Sequence, residues 1–315
     1  MAKKRVAVLF GGSSAEHDVS IMSAASIIKH IDKSHYITQL IGFDRKNQPY
    51  LIQELHKTAS ESVFENGEKI TFDQLTALLT SDIDVVFPII HGPGGEDGQL
   101  QGFLKFLGVP FVGADVTASA VCMDKRLAKE ILRSNGFKQA PFMSMTKWEY
   151  QTNPRKSLET IKATLDFPIF VKPSNLGSSL GIHKVASLEA LDKALEDAFR
   201  YDYHAVIESG INARELECGV LGNENPIAMA VGEIVASHEF YDYEAKYSDD
   251  CPSELIVPAR VSEELIELIR SESVRAYRLL GVEGMARVDF LVDKETLEVY
   301  LSELNTLPGF TKFSM

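Results

Sequence analysis

The stretch that most constrains the fold is Gly284 to Phe310, GMARVDFLVDKETLEVYLSELNTLPGF. Two runs rich in Val, Leu, Phe and Tyr, Met285 to Val292 and Leu297 to Leu304, flank the polar turn Lys294, Glu295 and Thr296. That pattern predicts a β-hairpin. Alternation puts Arg287 and Asp289 on one face of the first strand, and Glu303 and Asn305 on one face of the second. If the turn sets Asp289 opposite Glu303, Arg287 falls opposite Asn305, because directly paired residues project on the same side. Adjacent carboxylates repel unless a proton or cation lies between them. Oxygen-only donors of this kind suit a hard cation such as Mg²⁺, completed by water and phosphate oxygens. The plain alternative is an exposed hairpin face with solvated charges. The Pro308-Gly309 turn that follows favours the cation, since it offers backbone N–H groups beside the acidic pair.

The chain has 315 residues, enough for two or three domains. Its formal net charge of −13 argues against nucleic acid or an anionic membrane as the main partner. An anionic substrate can still be held by a local cluster of Lys and Arg. Cys122, Cys218 and Cys251 are scattered, with neither metal-type spacing nor a disulfide pattern. The apolar part of the first residues is too short for a secretory signal, and no run approaches membrane-spanning length. A reducing cytoplasm is the expected location.

From the start, Val6 to Phe10, then Gly11-Gly12-Ser13-Ser14, a helical pattern through Ile21, Ala25, Ile28 and Ile31, and the strand ITQLIGFD form the opening of a parallel α/β sheet. GGSSAE lacks the dinucleotide-binding spacing, so NAD is not expected. Residues 50 to 80 give no clear assignment. DVVFPII ends in a glycine-rich loop carrying His91, Glu96 and Asp97, at the strand end where α/β sheets bind ligands. A turn in which Glu96 and Asp97 cap the next helix is the alternative. VPFVG reads as a further strand and residues 118 to 135 as one helix. FPIFVKPSNLGSSLGIHKV reads as a hairpin whose Ser/Gly tip can fold over phosphate oxygens, with Lys172 adding a point charge. HAVIE, RELECGVLG and Pro226 to Ala236 read as strands, two or three of them antiparallel in a third region that starts near Ala213. The long loop HEFYDYEAKYSDDCPSELIVPA reads as a lid, and residues 262 to 280 as an amphipathic helix.

In order, GGxSxEHxVS, HGxxGEDGxxQG, MDK, VKPSNxGSSxGI, FYDYxxKY, GxxRVDF and ExNTxPGFT resemble the D-alanine–D-alanine ligases of the ATP-grasp superfamily. The resemblance runs from Val6 to Met315. It implies a three-domain α/β (α+β) fold. A parallel α/β domain spans 1–117, followed by two mixed or antiparallel sheet domains, 118–212 and 213–315, that sandwich ATP. The family continues through another helical segment after the position of Met315, so the chain reads as lacking it.

The resemblance also implies residue roles. Lys125, Lys172, Ser179 and Lys246 contact the nucleotide phosphates. Glu208 and Ile211 hold the adenine, and Glu215 the ribose. Asp289, Glu303 and Asn305 hold two Mg²⁺ or Mn²⁺ ions. Glu16 anchors the first D-alanine, with Ser178 and Tyr247 bonding to it as the lid closes. From the residues alone, Ser13-Ser14-Ala15-Glu16 reads rather as a capping box in which Glu16 caps the helix start. Arg287 and the Gly309 N–H form the oxyanion site. His91, Ser314 and Met315 meet the second D-alanine. Tyr247 looks like the dipeptide-forming type, since lactate-using relatives carry His there. Two copies of the chain are the expected assembly, with D-alanine and ATP as the small-molecule partners and neither nucleic acid nor membrane.

Overall fold

The computed structural model describes residues 2–55, 60–177, 180–235 and 254–311. The opening apolar run becomes β1 (Lys4–Gly11), which pairs in parallel with β2 (Tyr36–Phe43) across α1 (His17–His30). Val6 to Phe10 are all buried, as a strand covered on both faces requires. Residues 50 to 80 resolve into β3 (Pro49–Ile52), a 3₁₀ turn at Glu61–Phe64, β4 (Glu68–Lys69) and α2 (Phe72–Ser81). A reciprocal capping box between Thr71 and Gln74 starts α2. With β5 (Val85–Pro88) the sheet order is β4-β3-β2-β1-β5. The expectation of a parallel sheet needs correcting here. β1, β2 and β5 are parallel, but β3 and β4 add antiparallel strands at one edge.

VPFVG does not form the further strand expected. Phe111 makes a single bridge to Val86, and Gly113 at φ +107° turns the chain away. The single helix expected over 118–135 is two, α4 (Val116–Met123) and α5 (Lys125–Ser134), which follow α3 (Gln99–Phe106). The break falls at Asp124, whose extended backbone frees its carboxylate to accept the Leu127 N–H and cap α5. α4 and α5 contribute Ala118, Cys122 and Leu132 to the core beneath the third sheet.

The second sheet is antiparallel throughout. It contains β6 (Phe142–Thr146), β7 (Ile169–Pro173), β8 (His183–Val185) and β9 (His204–Ser209), in the order β6-β9-β7-β8. α6 (Lys147–Thr152), α7 (Pro154–Thr164) and α8 (Leu188–Tyr201) accompany it, and Ile161, Leu191 and Leu195 pack against Ile169 and Ile207. HAVIE, which falls within the 118–212 unit, is β9 and fills the centre of this sheet, its apolar residues buried between β6 and β7.

The third sheet runs β12-β11-β10-β13-β14 and is also antiparallel. Its strands are β10 (Ala213–Leu221), β11 (Ile227–Val235), β12 (Glu254–Ile256), β13 (Met285–Asp293) and β14 (Val299–Asn305). α9 (Glu263–Leu279), capped by Ser262, lays Ile269, Ala276 and Tyr277 against it. The predicted hairpin is β13–β14. β14 starts two residues later than expected, because Leu297 sits at φ +60° in the turn. There the Asp293 carboxylate accepts the N–H groups of Glu295 and Thr296.

Candidate active site

The hairpin has the register read from its alternation, with Asp289 opposite Glu303 and Arg287 opposite Asn305. β10 extends the pattern, because Glu217 pairs with Asp289. Glu217, Asp289 and Glu303 therefore form a row of carboxylates across three strands. Arg287 grips Asp289 through two 2.7 Å hydrogen bonds and lies 3.3 Å from Glu217. Asn305 donates its amide to Asp289 at 3.0 Å, and Lys125 lies 3.6 Å from Glu303. Burial pushes the Asp289 carboxyl up to about 7. Arg287 opposes that rise only in part, and Glu217 and Glu303 add to it. Burial alone would lower the Arg287 pKa, but Asp289 and Glu217 hold it well above its ordinary value.

Among the described residues no three or more His, Cys, Asp or Glu side chains form a metal cage by themselves. The donor set still fits a hard divalent cation. Its groups offer oxygen, and the half-buried Asp289 carboxylate lies directly beside that of Glu303. Remaining positions would be completed by ligand oxygens and water.

The phosphate-type loop is tied to α5 by a short network. Ser174 donates to Asp124 at 2.6 Å and accepts the Arg126 N–H at 3.3 Å, while the Lys125 N–H donates to the Ser174 carbonyl at 3.0 Å. The Lys125 ammonium donates to the Leu176 carbonyl at 2.6 Å. At the loop's root, Asp202 accepts both N–H groups of Asn175, from backbone and side chain. Lys172 on β7 forms an ion pair with Glu208 on β9, and Lys129 on α5 lies 2.8 Å from the other Glu208 oxygen. Burial would raise the Glu208 carboxyl, but the two ammonium groups bring it down to about 2. Ile211 lies half-buried in the link after β9. Glu215 stands two residues before Glu217 on the same face of β10, and its charge reaches Lys172.

At the other end, Glu16 occupies the position before α1 but makes no capping bond through its side chain. Ser14 instead accepts the Glu16 N–H and donates to the His91 carbonyl at 2.7 Å. The Glu16 carboxylate lies against two glycines. A Cβ at Gly92 would come within 2.6 Å of it, and one at Gly177 within 2.9 Å. His91 is buried, with Ser23 3.0 Å from one ring nitrogen and Glu96 3.2 Å from the other. The Phe310 N–H also donates to Ser23, so the Pro-Gly turn is stitched to α1. Asp97 closes the glycine loop by accepting from Gly94 and Gln99.

Glu16, His91, Lys125, Arg287, Glu303 and Gly309 all line one cleft of about 1050 Å³, counting its open mouth. Lys172, Glu208, Ile211, Glu215 and Asp289 lie outside that lining. Ser178, Ser179, Lys246, Tyr247, Ser314 and Met315 fall outside the described residues.

Residues 5–114 match the family model "D-ala D-ala ligase N-terminus", and residues 131–315 match "D-ala D-ala ligase C-terminus". The chain belongs to the D-alanine–D-alanine ligase family. It is 45% identical over 321 residues to the D-alanine–D-alanine ligase of Clostridium novyi (strain NT), covering 99% of this chain and 91% of that protein. Two solved structures share its ATP-grasp fold over the whole chain, each at 33% identity. The VanG D-Ala:D-Ser ligase from Enterococcus faecalis superposes with a TM-score of 0.84 and 93% of its chain covered. The D-alanine–D-alanine ligase from Coxiella burnetii gives 0.85, with 88% covered.

Sequence reasoning missed four site residues of this family member. Glu217 is invisible until β10 is placed beside β13. Ser23 and Ser174 are hubs only through long-range hydrogen bonds. Lys129 had one available signal, since it lies four residues after Lys125 and so shares its helix face.

Proposed function

We propose that the chain condenses two molecules of D-alanine into D-alanyl-D-alanine at the expense of ATP, supplying a cell-wall peptidoglycan precursor in the cytoplasm. One observation carries this reading. Arg287 with the carboxylates of Glu217 and Glu303, the Lys125 side chain, and Glu16 beside two glycines line a single cleft. ATP supplies the γ-phosphoryl group that activates the first D-alanine carboxylate as an acyl phosphate, and two Mg²⁺ or Mn²⁺ ions neutralise the phosphates. Asp289, Glu303 and Asn305 would hold those ions, while Lys125 from the start of α5 and Lys172 from β7 meet phosphate oxygens. Ser179 and the lid residue Lys246 add to that set.

Glu16 fixes the ammonium of the first D-alanine, and the tight approach of Gly92 and Gly177 leaves its carboxylate little freedom to swing. Ser178 and Tyr247 close over it. Arg287, held flat by Asp289, presents its remaining N–H groups with the Gly309 N–H to the oxyanion that develops when the second amine attacks. His91, Ser314 and Met315 receive the second D-alanine. Glu208, Ile211 and Glu215 cradle adenine and ribose along the β9–β10 link. Exclusion of water by a lid formed from the chain before β12 would protect the acyl phosphate from hydrolysis. We assign these tasks to three units, 1–117, 118–212 and 213–315, acting in a homodimer.

The test is phosphate release from ATP with D-alanine, D-serine or D-lactate as the second substrate. D-alanine is expected to give the highest rate, and Glu303→Gln to abolish release while the melting temperature stays within a few degrees. Release in the wild type that ignores D-alanine, or near-normal turnover in Glu303→Gln at ordinary Mg²⁺, would overturn the reading.

A further inference from the structure

Lys129 is a lysine with only 4% of its surface exposed, yet no step assigned above uses it. Its ammonium lies 2.8 Å from Glu208 and 5.2 Å from the centre of the Phe142 ring. Glu208 is buried to the same degree and also carries Lys172 on its other oxygen. Glu208 thus has a cation on each oxygen, and Lys172 also lies within reach of the charges of Glu303 and Glu215. The contact from Lys129 is an ion pair off hydrogen-bonding alignment, and the Glu208 oxygen facing it has no hydrogen-bond partner. Lys129 is too deeply buried to reach the cleft. Lys172 is the member with side-chain exposure, at 16%.

We propose that Lys129 is a positioning residue that stays with Glu208 as its permanent counter-ion, so that Lys172 can leave Glu208 for a nucleotide phosphate. Without Lys129, drawing Lys172 towards a phosphate strands a buried carboxylate, and Lys172 stays locked on β9. With Lys129, Glu208 remains neutralised and in place throughout the exchange. Lys129 therefore acts on nucleotide affinity through Glu208 and leaves the D-alanine end alone. This inference rests on the nucleotide site proposed above.

The experiment measures the dissociation constant for Mg-ADP by calorimetry, together with KM for ATP and for D-alanine. K129M should weaken ADP and raise the ATP KM at least tenfold, with the D-alanine KM within twofold of wild type. K129R, which keeps the charge, should bind ADP within threefold of wild type. In an E208Q background, K129M should change ADP affinity less than twofold, because its only route of action is gone. If K129M alone fails to fold, the comparison of E208Q with the E208Q/K129M double variant still reads whether Lys129 acts by any route other than Glu208. Normal ADP binding by K129M, equal losses for both substrates, or a further tenfold loss in the E208Q background would overturn the inference. A wild-type protein that neither binds ADP nor releases phosphate with D-alanine would instead sink the proposed function itself.

Discussion

Glu208→Gln tests whether the buried cluster under β9 is held together by charge. The carboxyl falls from an ordinary 4.5 to about 2 on folding, burial being outweighed by Lys129 and Lys172. At 1.36 kcal/mol for each pH unit, that fall is linked to about 3 kcal/mol of stability at neutral pH. The independent rule for removing one partner of a buried ion pair, roughly 3–5 kcal/mol, gives the same size. The group is 3% exposed, so solvent screening takes little from it. A depressed carboxyl stabilises fully above its unfolded value and loses that contribution as pH falls towards its folded value. The wild type should therefore exceed Glu208→Gln by about 3 kcal/mol at pH 7, and by less than half of that at about pH 3. Urea unfolding can be followed through Trp148, the single tryptophan, which sits on α6 directly after β6. β6 pairs with β9 at Glu208, so the probe reports the sheet that carries the cluster. A gap below about 1 kcal/mol at pH 7, where the buried-pair estimate requires several times more, would refute the argument. So would a gap that does not narrow on acidification.

Gly177→Ala places a methyl 2.9 Å from the Glu16 carboxylate, so the D-alanine KM should rise several-fold with ADP affinity unchanged in calorimetry. Ser23→Ala removes the acceptor for the Phe310 N–H and a neighbour of His91; it should cost about 1–2 kcal/mol in urea unfolding and raise the D-alanine KM. Tyr277→Phe deletes the 2.7 Å hydrogen bond to the Gly222 carbonyl; it should cost about 1 kcal/mol and leave turnover unchanged in the phosphate-release assay.

Local pattern was enough wherever one element decides the outcome. Alternation along β13 and β14 placed Arg287, Asp289, Glu303 and Asn305 on one face in the observed register, because the side-chain period of a strand leaves no other choice once the pairing is set. The amphipathic pattern over residues 262 to 280 announced α9, since a 3.6-residue periodicity acts within one element. Which strands flank β9 was not legible. An apolar run of five or six residues is equally content beside any hydrophobic neighbour, and only the packed chain put it between β6 and β7.

The charges divide along the same line. Sequence determined which ionisable groups exist and which share an element's face, including the pair Lys125 and Lys129 on α5. Tertiary structure decided what each one does. It buried Lys129 and Glu208 together, aimed Arg287 between Glu217 and Asp289, and turned Glu16 from a helix cap into a carboxylate pressed against Gly92 and Gly177. The physical reason is that Coulomb energy and desolvation depend on distances and depth that arise only when remote segments meet.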